Sequence, residues 1–136
     1  MSAVSSHSQE SERFRRLSAI GQIGWWEADF TTRDYLCSEY VCNLLGMKGE
    51  TLTFRDFGMY IREDYRERIS REFVSIEEVE VYEQTFPILA MHGVVWVRSR
   101  LGEKWMTEDG HLKAFGILQV VDAPENMEST DILKQF

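Results

Sequence analysis

Three histidines, two cysteines and a set of carboxylates are the side chains of this 136-residue sequence best suited to chemistry. Haem ligation needs an imidazole that faces a cavity. His7 falls in a Ser-rich start, and His92 and His111 fall in predicted turns. Cys37 and Cys42 are spaced more widely than a Cys-x-x-Cys redox pair and make no disulfide framework. They suit a reducing compartment, and Cys42 reads as a small buried apolar residue. The run Glu77-Glu78-Val79-Glu80 reads as a solvated loop rather than a cation site. Glu27 and Asp29 share one strand face, but acid–base work would also need a cleft and a raised pKa, and nothing in the sequence supplies the cleft. No Gly-rich phosphate loop and no nucleophile elbow occurs. The expectation is no catalytic residue, no metal ligand and no cofactor, so the chain does not read as an enzyme.

Composition narrows the partners. Fifteen basic against twenty-three acidic residues give a net charge of -8, which repels phosphate backbones and argues against nucleic-acid binding. No apolar run approaches the roughly 20 residues that span a bilayer, and residues 1–10 lack the apolar core of a secretory signal. A cytoplasmic protein with no membrane contact is expected. The aromatic share of 12 %, with four Trp, predicts a core or interface rich in rings.

The elements that must position these residues follow from periodicity. Residues 1–8 are predicted to be a disordered tail. Residues 9–20 form an amphipathic helix whose stripe is Phe14, Leu17 and Ile20. Residues 23–30 alternate as a strand, with Trp25, Glu27 and Asp29 on one face and Trp26, Ala28 and Phe30 on the other. Residues 35–37 make a short second strand. Ser38 is placed to cap a helix that carries Tyr40, Val41, Leu44 and Leu45 and stops at Gly46. Thr53 caps a brief turn with Phe54 and Phe57. The stretch Asp64–Glu67 has capping-box spacing, and behind it Tyr65, Ile69, Phe73 and Ile76 share a helix face. From residue 80 the period becomes two. Three long strands follow, at 80–89, 94–106 and 111–121, joined by turns at Met91-His92-Gly93 and at Glu108-Asp109-Gly110. Residues 123–136 read as a C-terminal linker or helix, with Ile132, Leu133 and Phe136 as its apolar positions. Five antiparallel strands with the helices grouped mid-chain define an α+β layout: helices packed on one face of the sheet and the N-terminal helix on the other.

Residues 21–122 resemble a PAS domain. The resemblance rests on Ile23-Gly24-x-Trp26-Glu27-x-Asp29, a Trp-rich first strand, and on Ser38 followed by Leu44-Leu45-Gly46. It also rests on His92-Gly93-Val94-Val95-Trp96-Val97 and on Glu108-Asp109-Gly110 followed by Gly116. Relatives often carry His-Pro-acidic-Asp before the long helix, where this chain reads Ile61-Arg62-Glu63-Asp64. They often end in Asp-Ile-Thr, where this chain reads Asp122-Ala123-Pro124. The flavin-binding relatives carry an Asn-Cys-Arg-Phe-Leu type motif. The nearest string here, Val41-Cys42-Asn43-Leu44-Leu45, lies in an earlier helix and in another order.

The resemblance implies a sensory or interaction domain of a signal-transduction protein such as a sensor histidine kinase. It would couple small-ligand binding or a packing change to the conformation of a dimer and an output module, in cis or in trans. The inner face of the sheet would then form a ligand pocket. Its walls would be Trp26, Ala28, Phe86, Ile88, Val97, Ser99, Leu101 and Leu118, closed by Tyr65, Ile69 and Phe73. These walls suit a small apolar ligand, and they could equally be filled core. The outer face carries Trp25, Trp96, Ile117 and Val121. With Phe14, Leu17 and Ile20 it predicts a homodimer interface, because three helix residues cannot cover a five-strand face. Two other readings stand beside this one: a small α+β enzyme with a conical cavity, and a ligand-free dimerisation module. The shortage of ionisable residues at inward positions separates the first of them from a binding domain.

Overall fold

In a computed structural model of the chain, residues 3–124 are described, with side chains from residue 9 onward. The predicted tail over residues 1–8 is replaced from residue 3 by helix, since α1 spans Ala3–Gly21. The positions of Ile132, Leu133 and Phe136 lie outside the described residues. β1 (Ile23–Asp29) and β2 (Asp34–Cys37) follow as a hairpin. Then come α2 (Glu39–Leu45), β3 (Thr51–Thr53), α3 (Phe54–Tyr60) and α4 (Glu63–Val74), which ends in a 3-10 turn at Ser75–Glu77. β4 (Glu83–Ala90), β5 (Gly93–Met106) and β6 (Leu112–Val121) complete the elements of the described residues.

The sheet is antiparallel and six-stranded, in the order β3-β2-β1-β6-β5-β4. The added strand is β3, which pairs Thr51 with Leu36 and Leu52 with Tyr35. Three residues, two of them Thr, give no alternation long enough to read. The first strand of the sequence and the last therefore meet at the sheet centre, where Trp26 lies opposite Gly116 and Trp25 opposite Ile117.

Two glycines set how closely the layers approach. A Cβ at Gly24 would stand 2.5 Å from Ser38 Oγ and 2.6 Å from a Val41 methyl. The bare backbone lets α2 sit directly on β1. Ser38 does not cap α2 with its side chain. Its hydroxyl instead accepts from the Trp25 N–H at 3.1 Å, and its own N–H donates to the Trp25 carbonyl at 3.0 Å. At Gly116 a Cβ would overlap the Arg100 carbonyl oxygen and the Trp26 indole. Thr53 caps α3 as expected, accepting from the Asp56 N–H at 3.0 Å. Asp64 does not cap α4 and is engaged by the Arg62 guanidinium, at 2.7 and 2.9 Å.

Helices α2 to α4 cover the inner face, and one core runs through Trp26, Val41, Ile69, Phe73, Phe86 and Leu118. The open edge of β4 is closed by an isolated bridge from Ile61 to Ile88 and by the Arg62 N–H donating to the Pro87 carbonyl. Pro87 has no N–H to leave unpaired, which suits an edge strand. Arg66 donates to the carbonyls of Gly58 and Ile61 at 2.9 and 3.1 Å, tying the end of α3 to α4.

At the far end of β1 a polar knot joins two turns. Asp29 Oδ1 accepts from the N–H groups of Thr31 and Thr32, and its Oδ2 lies 2.8 Å from His111 Nδ1. Burial pushes the Asp29 pKa up, but the hydrogen bonds from His111 and the two N–H groups outweigh it and hold the carboxyl below its usual range. The hydrogen bond to Asp29 raises the His111 pKa, with Asp109 adding to it and Lys113 opposing it. The raised His111 value stabilises the fold fully below about pH 6.5, and that share is lost as pH rises through the folded pKa. The depressed Asp29 value stabilises above about pH 4 and is lost as pH falls through its folded pKa. Urea midpoints measured across this range are expected to show a mildly acidic maximum that His111→Gln flattens. An unchanged profile in that variant would rule the pair out as its source.

Candidate functional site: a cavity under α3 and α4

The inner face encloses a cavity of about 60 Å³ between the sheet and helices α3 and α4. Of the residues predicted as its walls, Trp26, Ile69, Phe73, Phe86, Ser99 and Leu118 line it. Ala28, Ile88 and Val97 are fully buried but stand outside the lining, as does half-buried Leu101. Tyr65 is elsewhere. The start of α4 is held at the β4 edge, where Pro87 pairs with Trp96, so the Tyr65 ring meets Trp96 edge-on at 5.6 Å. Arg62 stacks over both rings, at 5.3 and 5.8 Å. Tyr65 therefore closes part of the outer face rather than the cavity.

The walls that periodicity did not point to come from short elements. β2 brings Tyr35 and Cys37, and α3 brings Phe54 and Phe57, while Tyr82 joins from the alternation it shares with Phe86 and Ile88. Phe73 lies at the hub of the ring cluster, with centroids 5.1 to 5.8 Å from Trp26, Phe30, Tyr35, Phe54 and Tyr82. Only the aromatic excess in the composition hinted at such a cluster.

Every lining side chain is uncharged at neutral pH. Burial pushes the Cys37 thiol up to about 12, aided by neighbouring Cys42. It is then protonated at neutral pH and a poor nucleophile. Burial also raises Cys42, whose thiol donates to the Cys37 carbonyl at 3.6 Å. Tyr35 and Tyr82 are held well above the usual phenol value, chiefly by burial. The cavity therefore offers apolar contact and hydroxyl donors, with no group poised to exchange protons near neutrality. No cluster of His, Cys, Asp and Glu suited to a metal occurs among the described residues, and no described helix is long and apolar enough to cross a membrane.

On the opposite side of the sheet, Trp25 stacks on Phe115 at 5.8 Å with a 27° interplanar angle. Ile117 pairs with Trp25, and Val121 with Trp96, as expected for one face. The expected cover from α1 is absent. α1 approaches β1 and α2 through buried Ser18 and borders a groove with Trp25, Ser38 and Tyr40. Phe14 borders the same groove and stays half-exposed, while Leu17 and Ile20 are 67 % and 84 % exposed.

No protein-family model matches the sequence, and no curated protein matches it. Solved structures do. A sensory box histidine kinase/response regulator from Burkholderia thailandensis E264 is similar over 90 % of this chain and 92 % of that one, at 17 % identity and a TM-score of 0.62. The N-terminal domain of a diguanylate cyclase with PAS/PAC sensor from Marinobacter aquaeolei is similar over 72 % of this chain and 94 % of that one, at 16 % identity and a TM-score of 0.61. A domain of a putative light and redox sensing histidine kinase from Haloarcula marismortui is similar over 82 % and 99 %, at 16 % identity and a TM-score of 0.52. Strand order, helix placement and these likenesses agree, and the chain has the fold of the PAS sensor domains.

Proposed function

We propose that this chain is a sensory domain of signal transduction that works as a cytoplasmic homodimer and hands a packing change to an output module of the histidine kinase or diguanylate cyclase kind. The observation that carries the reading is the pair Trp25 and Trp26. Two successive residues of the central strand β1 serve opposite faces. Trp26 walls the cavity, and its indole N–H donates to the Ile117 carbonyl at 3.1 Å. Trp25 stacks on Phe115 and borders the α1 groove. A shift of the Trp26 ring moves the backbone that sets Trp25, and through it the seat of α1. That is the differential contact a two-state coupling needs.

The exposed stripe of α1 supports the dimer. Fully covering Leu17 and Ile20 is worth about 1.5–3 kcal/mol each, and a second copy is the simplest symmetric cover. The paired substitution Leu17→Glu and Ile20→Glu is expected to leave a folded monomer, because neither side chain enters the core. Sedimentation equilibrium of the intact protein decides the matter. A wild-type monomer at high micromolar concentration would remove the dimer from the reading.

A further inference from the structure

We propose that the cavity holds a neutral ligand of about four non-hydrogen atoms bearing one hydrogen-bond acceptor, with the Tyr82 hydroxyl as its anchor. The inference rests on the sensory reading above and gives its cavity a ligand class.

Size comes first. An apolar cavity of about 150 Å³ takes benzene, and about 10–15 Å³ is enough for one water. At about 60 Å³ the space has room for more than one water and is too small for a six-membered ring. Haem and flavin need pockets of several hundred Å³.

Polarity comes second. Tyr82 is 5 % exposed and lines the cavity, and its hydroxyl makes no close hydrogen bond among the described residues, although the Ser99 hydroxyl stands near it. Such a buried hydroxyl is costly unless something bonds it. Burial raises the phenol pKa, the field of nearby Glu72, which is not part of the lining, adds to it, and the smaller opposing effect of Ser99 leaves the phenol protonated. Tyr82 is therefore a donor and calls for an acceptor. The same field, with no cation in the lining, rejects anions. The ring cluster around Phe73 supplies the apolar seat. Partly exposed Phe57 on α3 and Val74 on α4 mark a route in from the surface.

Acetone and acetate test this, because they match in size and differ in charge. Amide spectra of the full chain are followed during titration with each. Four atoms bind no tighter than roughly tens of micromolar, so the titration runs to high millimolar. Acetone is expected to give saturable shifts at cavity residues, and acetate none. Tyr82→Phe is expected to weaken acetone about three- to tenfold and, without ligand, to raise Tm by roughly 2–8 °C, since it deletes an unpartnered hydroxyl. The proposal is overturned if acetone fails to saturate, if both probes act alike, if the variant binds acetone as well as wild type, or if the variant melts lower. The last result would mean that the hydroxyl is already bonded, with the neighbouring Ser99 hydroxyl as its partner. Dimerisation is measured on the same samples. An intact dimer with no acetone site keeps the sensory reading with a filled core, whereas a monomer removes the dimer independently.

Discussion

Trp26→Ala is expected to destabilise the domain by about 3–5 kcal/mol, the range for truncating a buried Trp. The ring is 4 % exposed and packs edge-on against Tyr35 and Phe73, at 6.4 and 5.5 Å. The substitution removes that packing and the indole N–H that donates to Ile117. It also enlarges a cavity that already exists, so the walls have little means of collapsing onto the gap. Urea unfolding reads the loss as a lower midpoint with an unchanged slope. A loss below about 1 kcal/mol would place the ring outside the core and undo the account of β1.

Gly116→Ala is expected to cost at least about 3 kcal/mol although it adds one methyl group. The added carbon would overlap the Arg100 carbonyl oxygen on one side and the Trp26 indole on the other. The first is strand backbone in the β5–β6 ladder, and the second is wedged in the ring cluster. Neither yields as the end of a flexible side chain would. Circular dichroism melts of the variant compared with wild type, and with Gly49→Ala as a control in open space, give the test. Equal melting of both variants would show that β6 does not pass under the indole.

Long elements were legible in the sequence because their periods were long. Residues 83–121 alternate over enough positions that the faces of β4, β5 and β6 follow from Phe86, Val97 and Leu118. The stripe Ile69 and Phe73 placed α4 on the sheet. What stayed hidden has local causes. β3 is too short to show a period. Tyr65 sits in phase with Ile69, but helical phase says nothing about a first turn that overhangs the sheet edge, where the ring meets Trp96 instead. Leu17 and Ile20 announced a surface to be covered, and periodicity cannot distinguish cover in cis from cover by another chain. The inner half of the site was read at the strands, where Tyr82 alternates with Phe86 and Ile88, and missed at Phe54 and Phe57, whose flanking elements are short or irregular.

The adjacent indoles of β1 also bear on how the domain finds its structure. Strand register is ordinarily enforced by a greasy face and a wet one, and in β1 the two Trp leave that check to Glu27, Ala28, Asp29 and Phe30. Sliding β1 by one residue would exchange two near-identical rings, but it would also carry Glu27 and Asp29 to the inner face in place of Ala28 and Phe30. Shape forbids the exchange. A slid strand would set Ile23 or Trp25 where α2 leaves room only for Gly24, and would take Trp26 off the bare backbone at Gly116. The two glycines thus add marks of shape to those of polarity, and a misaligned β1 is disfavoured on both counts.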